Sequence, residues 1–273
     1  MESTLALKRS DLRAKIGLYL GWGQGAVDDY NDPAWTPRQF GLLKGFIDSG
    51  TRRFYWPPPV PPSPVPHSWS FLKPVALFDF AAATQSQLLP FDFGGFEGGV
   101  SVQTPATPAS WWRVPVVSIG KVNQMYAELP QASGPPQMVA ISPRKGTGSN
   151  QGSRMDLWVW PQTDTDYTFQ FQYYLQPNAL TDQNPYYYGG AMHSDTVLES
   201  CLVSAENLLD DTPLQECNHW GTFMERLGAS VFIDNRNKPQ TLGLNEDKSD
   251  MMGRRTGRVS NFAPITFNGV VYG

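Results

Sequence analysis

Two cysteines, three histidines and no cluster of lysine or arginine are what this 273-residue sequence offers to the usual chemistries, and each shortage removes a class of protein. Cys201 and Cys217 fall in segments of helical pattern, so buried free thiols are expected in place of a disulfide framework. His67, His193 and His219 lie far apart, and none stands in an HExxH pattern or beside a cysteine pair with metal spacing, so no metal site is read. Charged residues make up 17% of the chain, against a usual share of about 25%. The net charge is −4, without the basic footprint of a protein that grips nucleic acid. No apolar run approaches the roughly 18 residues of a membrane span, and "MESTLALKRSDLRAK" lacks the apolar core of a signal peptide. A cytosolic origin without a membrane partner is expected.

Catalytic patterns are equally scarce. "RKGTGSNQGSR", Arg144 to Arg154, is glycine-rich but lacks the Gly-Lys-Ser/Thr of a phosphate loop, and reads as surface loop. No Gly-x-Ser-x-Gly elbow occurs, and Asp28, Asp29 and Asp32 read as a solvated loop. No enzyme, cofactor or active site is expected.

Glycine (25 residues), proline (24) and aromatic residues (13%) are what the chain does have, which favours strands, turns and extended segments. The first helix is marked by Leu12, Ile16 and Leu20 on one face, with Tyr19 beside them and Gly21 past the end. The second opens at Thr36-Pro37-Arg38-Gln39, a capping box with proline at the first helical position, and Trp35 and Phe40 read as a hydrophobic staple. Phe40, Leu43, Ile47 and Phe54 follow one face until the proline run stops the helix near Tyr55.

Between Trp69 and Gln176 the pattern is that of strands. In "RMDLWVWPQTDTDYTFQFQYYLQP", the strongest hairpin candidate, Tyr167, Phe169, Phe171, Tyr173 and Leu175 alternate with polar positions. "SIGKVNQMYAEL" reads as a short helix capped by Ser118.

Helical periodicity returns with Ser194 as cap and Val197, Leu198, Cys201, Leu202, Ala205, Leu208 and Leu209 as an apolar stripe. Thr212-Pro213-Leu214-Gln215 repeats the start signal for a last helix carrying Phe223, Met224, Leu227, Val231 and Phe232.

The expected fold is α+β: a four-helix bundle with an inserted antiparallel β domain and an extended C-terminal arm. Residues 1–56 and 194–237 supply the helix pairs, 67–180 the β domain, 57–66 a stiff proline-rich linker, 181–193 a Tyr/Gly linker and 238–273 the arm. Trp111, Trp112, Trp158 and Trp160 suggest either core positions or a sugar-binding face. Tyr186, Tyr187 and Tyr188 are consecutive and cannot share one face of a strand, so at least one is expected to meet another chain. The arm tip "APITFNGVVYG" places the strand formers Ile265, Phe267, Val270, Val271 and Tyr272 where nothing local buries them, which suits adding a strand to another chain.

The order "LRAKIGLYLG", "TPRQFGLLKGFIDSGTRRFYWPPP", "HSWSFLKP", the strand pair above, "VLESCLVSAENLLDD" and "FMERLGASVFIDNRNKPQTLG" resembles the head-to-tail adaptor proteins of tailed bacteriophages, of the tail tubular A kind. The resemblance covers nearly the whole chain and rests on the order of its motifs. It implies a structural virion protein assembled in the host cytoplasm, forming a ring of about twelve copies at the head-tail interface. Its partners would be its own copies, the portal protein and a tail or nozzle protein, with DNA passing through a non-adhesive channel. It would set Phe54, Tyr55 and Trp56 where bundle, β domain and neighbouring subunit meet. A carbohydrate- or receptor-binding β module of a phage tail is the alternative reading.

Overall fold

A computed structural model describes residues 3–24, 34–104, 110–144 and 154–236, and the backbone of 265–267 and 270–272. The fold is α+β, with five α-helices among the described residues, two antiparallel sheets and a separate two-stranded hairpin.

Helix α1 (Arg9–Tyr19) buries Leu12 and Ile16, and Gly21 follows its end with φ 69°. Helix α2 (Pro37–Tyr55) starts on the expected capping box: the Thr36 N–H donates to Gln39 Oε1 at 2.9 Å, and Thr36 Oγ1 accepts from Gln39 N at 3.3 Å. The staple does not form. Trp35 lies against Gly17 of α1, where an added Cβ would sit 2.8 Å from the indole, while Phe40 is exposed and carries the Arg13 guanidinium 4.5 Å above its ring.

The first sheet runs β1 (Val75–Phe80), β7 (Tyr167–Leu175), β3 (Phe93–Gln103), β4 (Trp111–Val114), and the second runs β2 (Ser86–Leu88), β6 (Arg154–Trp160), β5 (Met138–Arg144). The expected hairpin of β6 with β7 is therefore wrong. Both strands are central, each with two hydrogen-bonded neighbours in its own sheet, and residues 161–166 cross from one sheet to the other. Alternation in β7 does hold, with Tyr167, Phe169, Phe171, Tyr173 and Leu175 buried. Alternation reports a buried face and is silent on which strand lies alongside. Helix α3 (Ile119–Glu128), capped by Ser118, packs Val122 against Ala140 and Trp160 of the second sheet, and Tyr126 donates to the Val159 carbonyl at 2.5 Å.

Helix α4 (Ser194–Leu209) begins one residue earlier than a Ser194 cap requires. Ser194 is itself helical, and its hydroxyl shares a 2.5 Å hydrogen bond with that of Tyr187. Val197, Cys201, Leu202 and Ala205 are buried, but Leu208 and Leu209 are exposed, because the stripe turns away from the core in the last turn. The Thr212 start signal is not used. Pro213 and Cys217 are extended around a 3₁₀ turn at Leu214–Glu216, and α5 (Asn218–Arg236) starts later. Its first turn is served from another helix, since the buried Glu206 of α4 accepts the His219 backbone N–H at 3.2 Å. The same carboxylate accepts from Tyr19 of α1 at 2.7 Å, and burial together with that bond pushes the tyrosine up to about 12. Phe223 and Leu227 are buried on α5, whereas Phe232 is 70% exposed.

One continuous core joins helices to sheets, from Leu12 and Phe46 through Phe54 and Trp69 to Val100, Leu157 and Phe171. The proline run is not straight, for Ser63 N–H closes a turn on the Val60 carbonyl at 2.9 Å. Residues 236–273 form a separate unit. In it β8 (Ile265–Phe267) pairs antiparallel with β9 (Val270–Tyr272), Ile265 opposite Tyr272 and Phe267 opposite Val270, so the tip is a hairpin where a single strand was expected. The rest of the arm, 237–264, lies outside the described residues, as do Asp28, Asp29, Asp32 and most of the 144–154 loop.

Helices α2 and α4 cross in backbone contact: a Cβ built on Gly50 would lie 2.6 Å from Cys201 Cα, while one on Gly45 meets nothing within 4 Å. Gly50→Ala is expected to destabilise by about 1–3 kcal/mol through overpacking, and Gly45→Ala to be neutral or stabilising by up to about 1 kcal/mol. Urea unfolding of the two variants decides it, and equal midpoints would contradict the close crossing.

Candidate functional site

Helix α2 delivers Phe54, Tyr55 and Trp56 on three different sides because consecutive helical residues are about 100° apart. Phe54 points inward and is fully buried. Its ring meets Trp69 at 4.9 Å, His193 at 5.7 Å, Phe71 at 6.1 Å and Tyr187 at 6.3 Å between centroids. The Trp69 indole N–H donates to the Phe54 carbonyl at 2.8 Å, which satisfies one of the carbonyls left open at the helix end. Tyr55 is buried, and its hydroxyl accepts the Tyr188 backbone N–H at 3.0 Å; burial raises its ionisation well above the ordinary phenol range. Trp56, the C-cap, is 56% exposed.

The tyrosine triplet divides in the same way. Tyr187 is buried, its hydroxyl donating to Gly190 O at 3.2 Å and engaging Ser194, while Tyr186 and Tyr188 are exposed. Phe54, Tyr55 and Tyr187 are therefore the inside of a junction, and Trp56, Tyr186 and Tyr188 are the members of the predicted set that a partner chain could touch. Ile265, Phe267, Val270, Val271 and Tyr272 all fall in the hairpin strands, in the separate C-terminal unit.

Two residues central to the junction are not singled out by the sequence reading. Asp234, buried near the end of α5, binds His67 Nε2 at 2.8 Å, accepts the Ser70 backbone N–H at 3.2 Å and takes a very short hydrogen bond from the Ser70 hydroxyl. It ties α5 to the segment leading into β1. The signal is an acidic residue continuing the buried spacing of Phe223, Leu227 and Ser230. The trio is no catalytic triad, because the serine hydroxyl bonds the carboxylate and not the imidazole. His193 is the second: buried among Phe54, Trp69 and Phe71, with no hydrogen-bond partner for Nδ1 among the described residues.

Two concavities among the described residues bear on ligand binding. One of about 390 Å³ lies between Asp79, Phe80, Gln87, Asp166, Tyr167 and Thr168. Its polar groups bond within the chain: Asp79 accepts from Thr168 at 2.9 Å, Asp166 from Ala82 N at 2.8 Å, and Gln87 donates to the Asp79 carbonyl at 2.9 Å. Phe80 and Tyr167 are buried and offer no stacking face. Trp160 is buried too, Trp112 and Trp158 are partly so, and Trp111 alone of that set is exposed. The other concavity is a small cleft beside Trp56.

Among the described residues no group of His, Cys, Asp and Glu is placed to hold a metal ion, and no helix is long and apolar enough to cross a membrane. The chain matches no family model and no curated protein.

Burial lowers the His193 ionisation below its ordinary 6.5, with Asp234 pulling it up and His67 pushing it further down. Between that lowered value and 6.5 the folded state holds the imidazole neutral, and unfolding takes up a proton. Stability from this group is complete above the unfolded value and is lost as pH falls below about 6.5 toward the folded one. The thermal midpoint of the wild type should fall on acidification from about pH 7 to about pH 5 more steeply than that of His193→Gln. Parallel profiles would show that His193 does not titrate with unfolding.

Proposed function

We propose that the chain is a structural, non-enzymatic virion protein, a head-to-tail adaptor of a tailed bacteriophage whose copies form a ring between portal and tail. The observation that carries this reading is the division of the chain into a compact unit and a C-terminal unit whose regular structure is a hairpin of two three-residue strands. Such a hairpin is marginal alone and gains stability from a surface that covers it. A body with an appendage of this kind suits a link between other proteins. In this reading α1, α2, α4 and α5 are a four-helix bundle, and the two sheets with α3 are the domain inserted into it.

The order of sequence motifs supports the same assignment. So does a net charge of −4, which leaves a bore non-adhesive to passing DNA. The ring would count about twelve copies and meet the portal on one side and a tail or nozzle protein on the other, at the head-tail interface of a virion assembled in the host cytoplasm. The receptor-binding alternative has less behind it, since the larger concavity has its polar groups bonded internally and no exposed aromatic face.

Deleting Asn261 to Gly273 should leave the thermal midpoint of the remaining chain nearly unchanged and abolish stable attachment to the portal. Light scattering of the full chain, alone and with portal, should report a monomer or weak oligomer in the first case and a ring in the second. A truncated chain that docks with full affinity would remove the appendage from the mechanism. A full chain that ignores the portal would remove the adaptor reading itself.

A further inference from the structure

Strand β1 is an edge of the first sheet, with β7 on one side and no strand on the other among the described residues. Which of its backbone groups stay open follows from the register. The Tyr173 N–H donates to the Pro74 carbonyl at 3.2 Å, so Pro74, Ala76, Phe78 and Phe80 turn their backbone groups to β7, and the residues between them turn theirs outward. Gln87 closes the far end of that outward row, its side chain donating to the Asp79 carbonyl at 2.9 Å and accepting the Ala81 N–H at 3.1 Å. The outward N–H and C=O groups of Val75 and Leu77 have no such cover among the described residues. Their side chains stand on the solvent face of the sheet, 61% and 67% exposed. An edge strand is ordinarily guarded at such positions by charge or proline, and here the two residues are aliphatic.

We propose that this open stretch of β1 pairs with the same stretch of a second copy of the chain, antiparallel and about a two-fold axis through Ala76. Charge and polarity along the strand select that register. Val75 then lies opposite Leu77 of the second copy, and the two exchange N–H···O=C bonds because both turn their backbone groups outward. Lys73 lies opposite Asp79 of the second copy, a pair of opposite sign at each end of the apolar centre. Both groups have capacity left: the Lys73 ammonium bonds Glu97 at 2.6 Å and carries two further donors, and the exposed Asp79 takes one side-chain bond, from Thr168 at 2.9 Å. A slip by two residues sets Asp79 against Val75, or Lys73 against Leu77, and a slip by one opposes outward backbone groups to inward ones. A two-fold contact closes on itself, so it is distinct from the heterologous contacts of a ring and stands whether or not the chain is an adaptor.

Sedimentation velocity of the full chain over about 1–200 μM should show a monomer–dimer equilibrium with a Kd on the order of 10–100 μM, the weak affinity of an interface made by one short strand from each copy. Leu77→Lys should weaken it at least about tenfold by setting a charge against an apolar side chain. Phe232→Ser, which removes an exposed aromatic from α5, should leave it unchanged. Two charge variants read the register. Asp79→Lys sets lysine against lysine, and Lys73→Glu sets acid against acid, so each alone should be monomeric. Their equimolar mixture should form the heterodimer, in which both flanking pairs attract again. Thermal midpoints show whether each variant is folded, and if Lys73→Glu unfolds on losing its pair with Glu97, the wild type and Leu77→Lys decide. A wild type that stays monomeric over the whole range, a dimer that Leu77→Lys leaves intact, or folded charge variants whose mixture stays monomeric overturns the proposal.

Discussion

The crossing of α2 over α4 at Gly50 and Cys201 is the constraint from which the rest of the helical region follows. With a hydrogen in place of a side chain at Gly50, the two backbones touch, and the Ser200 hydroxyl reaches the Gly50 carbonyl at 2.9 Å. Arg53 then reaches the Ser200 carbonyl and the Ser204 hydroxyl, at 3.2 and 3.1 Å, which fixes the rotation of the last turn of α2. That rotation sends Phe54 into the core beside Tyr187 and His193, at the start of α4, and leaves Trp56 outside. A wider crossing would separate these groups and open the aromatic junction that joins helices to sheets. The same contact buries Cys201 completely, so its thiol is pushed up to about 12 and packs as a small apolar group.

Buried polar groups hold the remaining elements at their long-range positions. Glu206 serves α1, α4 and α5 together, and Asp234 gathers His67 and Ser70 onto the end of α5. Each is a buried carboxyl group that accepts from several donors, an arrangement that penalises a misplaced neighbour more than a well-packed apolar contact does.

What was legible in the sequence was local. The Thr36 box works because cap, proline and glutamine all lie within one turn, and the stripe from Val197 to Ala205 is buried because helical spacing alone decides it. The same start signal at Thr212 fails, since Glu206, brought in by tertiary packing, offers the first turn of α5 a better acceptor five residues later than the signal implies. The β6–β7 pairing was misread because adjacency in sequence favours hairpins, while the choice of neighbour depends on strands far away. In the candidate site, three neighbouring aromatics were expected to act together, but the rotation of α2 decides which of them face solvent: Phe54 and Tyr55 are buried and Trp56 is exposed. The hairpin at the arm tip is not read from the sequence, where the strand formers from Ile265 to Tyr272 pass for one strand.

The passage of the chain from β6 to β7 across the two sheets has a consequence for the order of events during synthesis. β7 lies between β1 and β3, so Val75 finds Gln172 and Phe93 finds Leu175 only after nearly the whole β region has left the ribosome. The α2–α4 contact asks for more still, because Gly50 waits for Ser200. Early segments therefore spend most of translation without their partners, and a fold of such non-local pairing closes late and slowly. The apolar faces of α2 and β1 are the surfaces that a nascent chain of this protein must keep from associating elsewhere until the last third has been made.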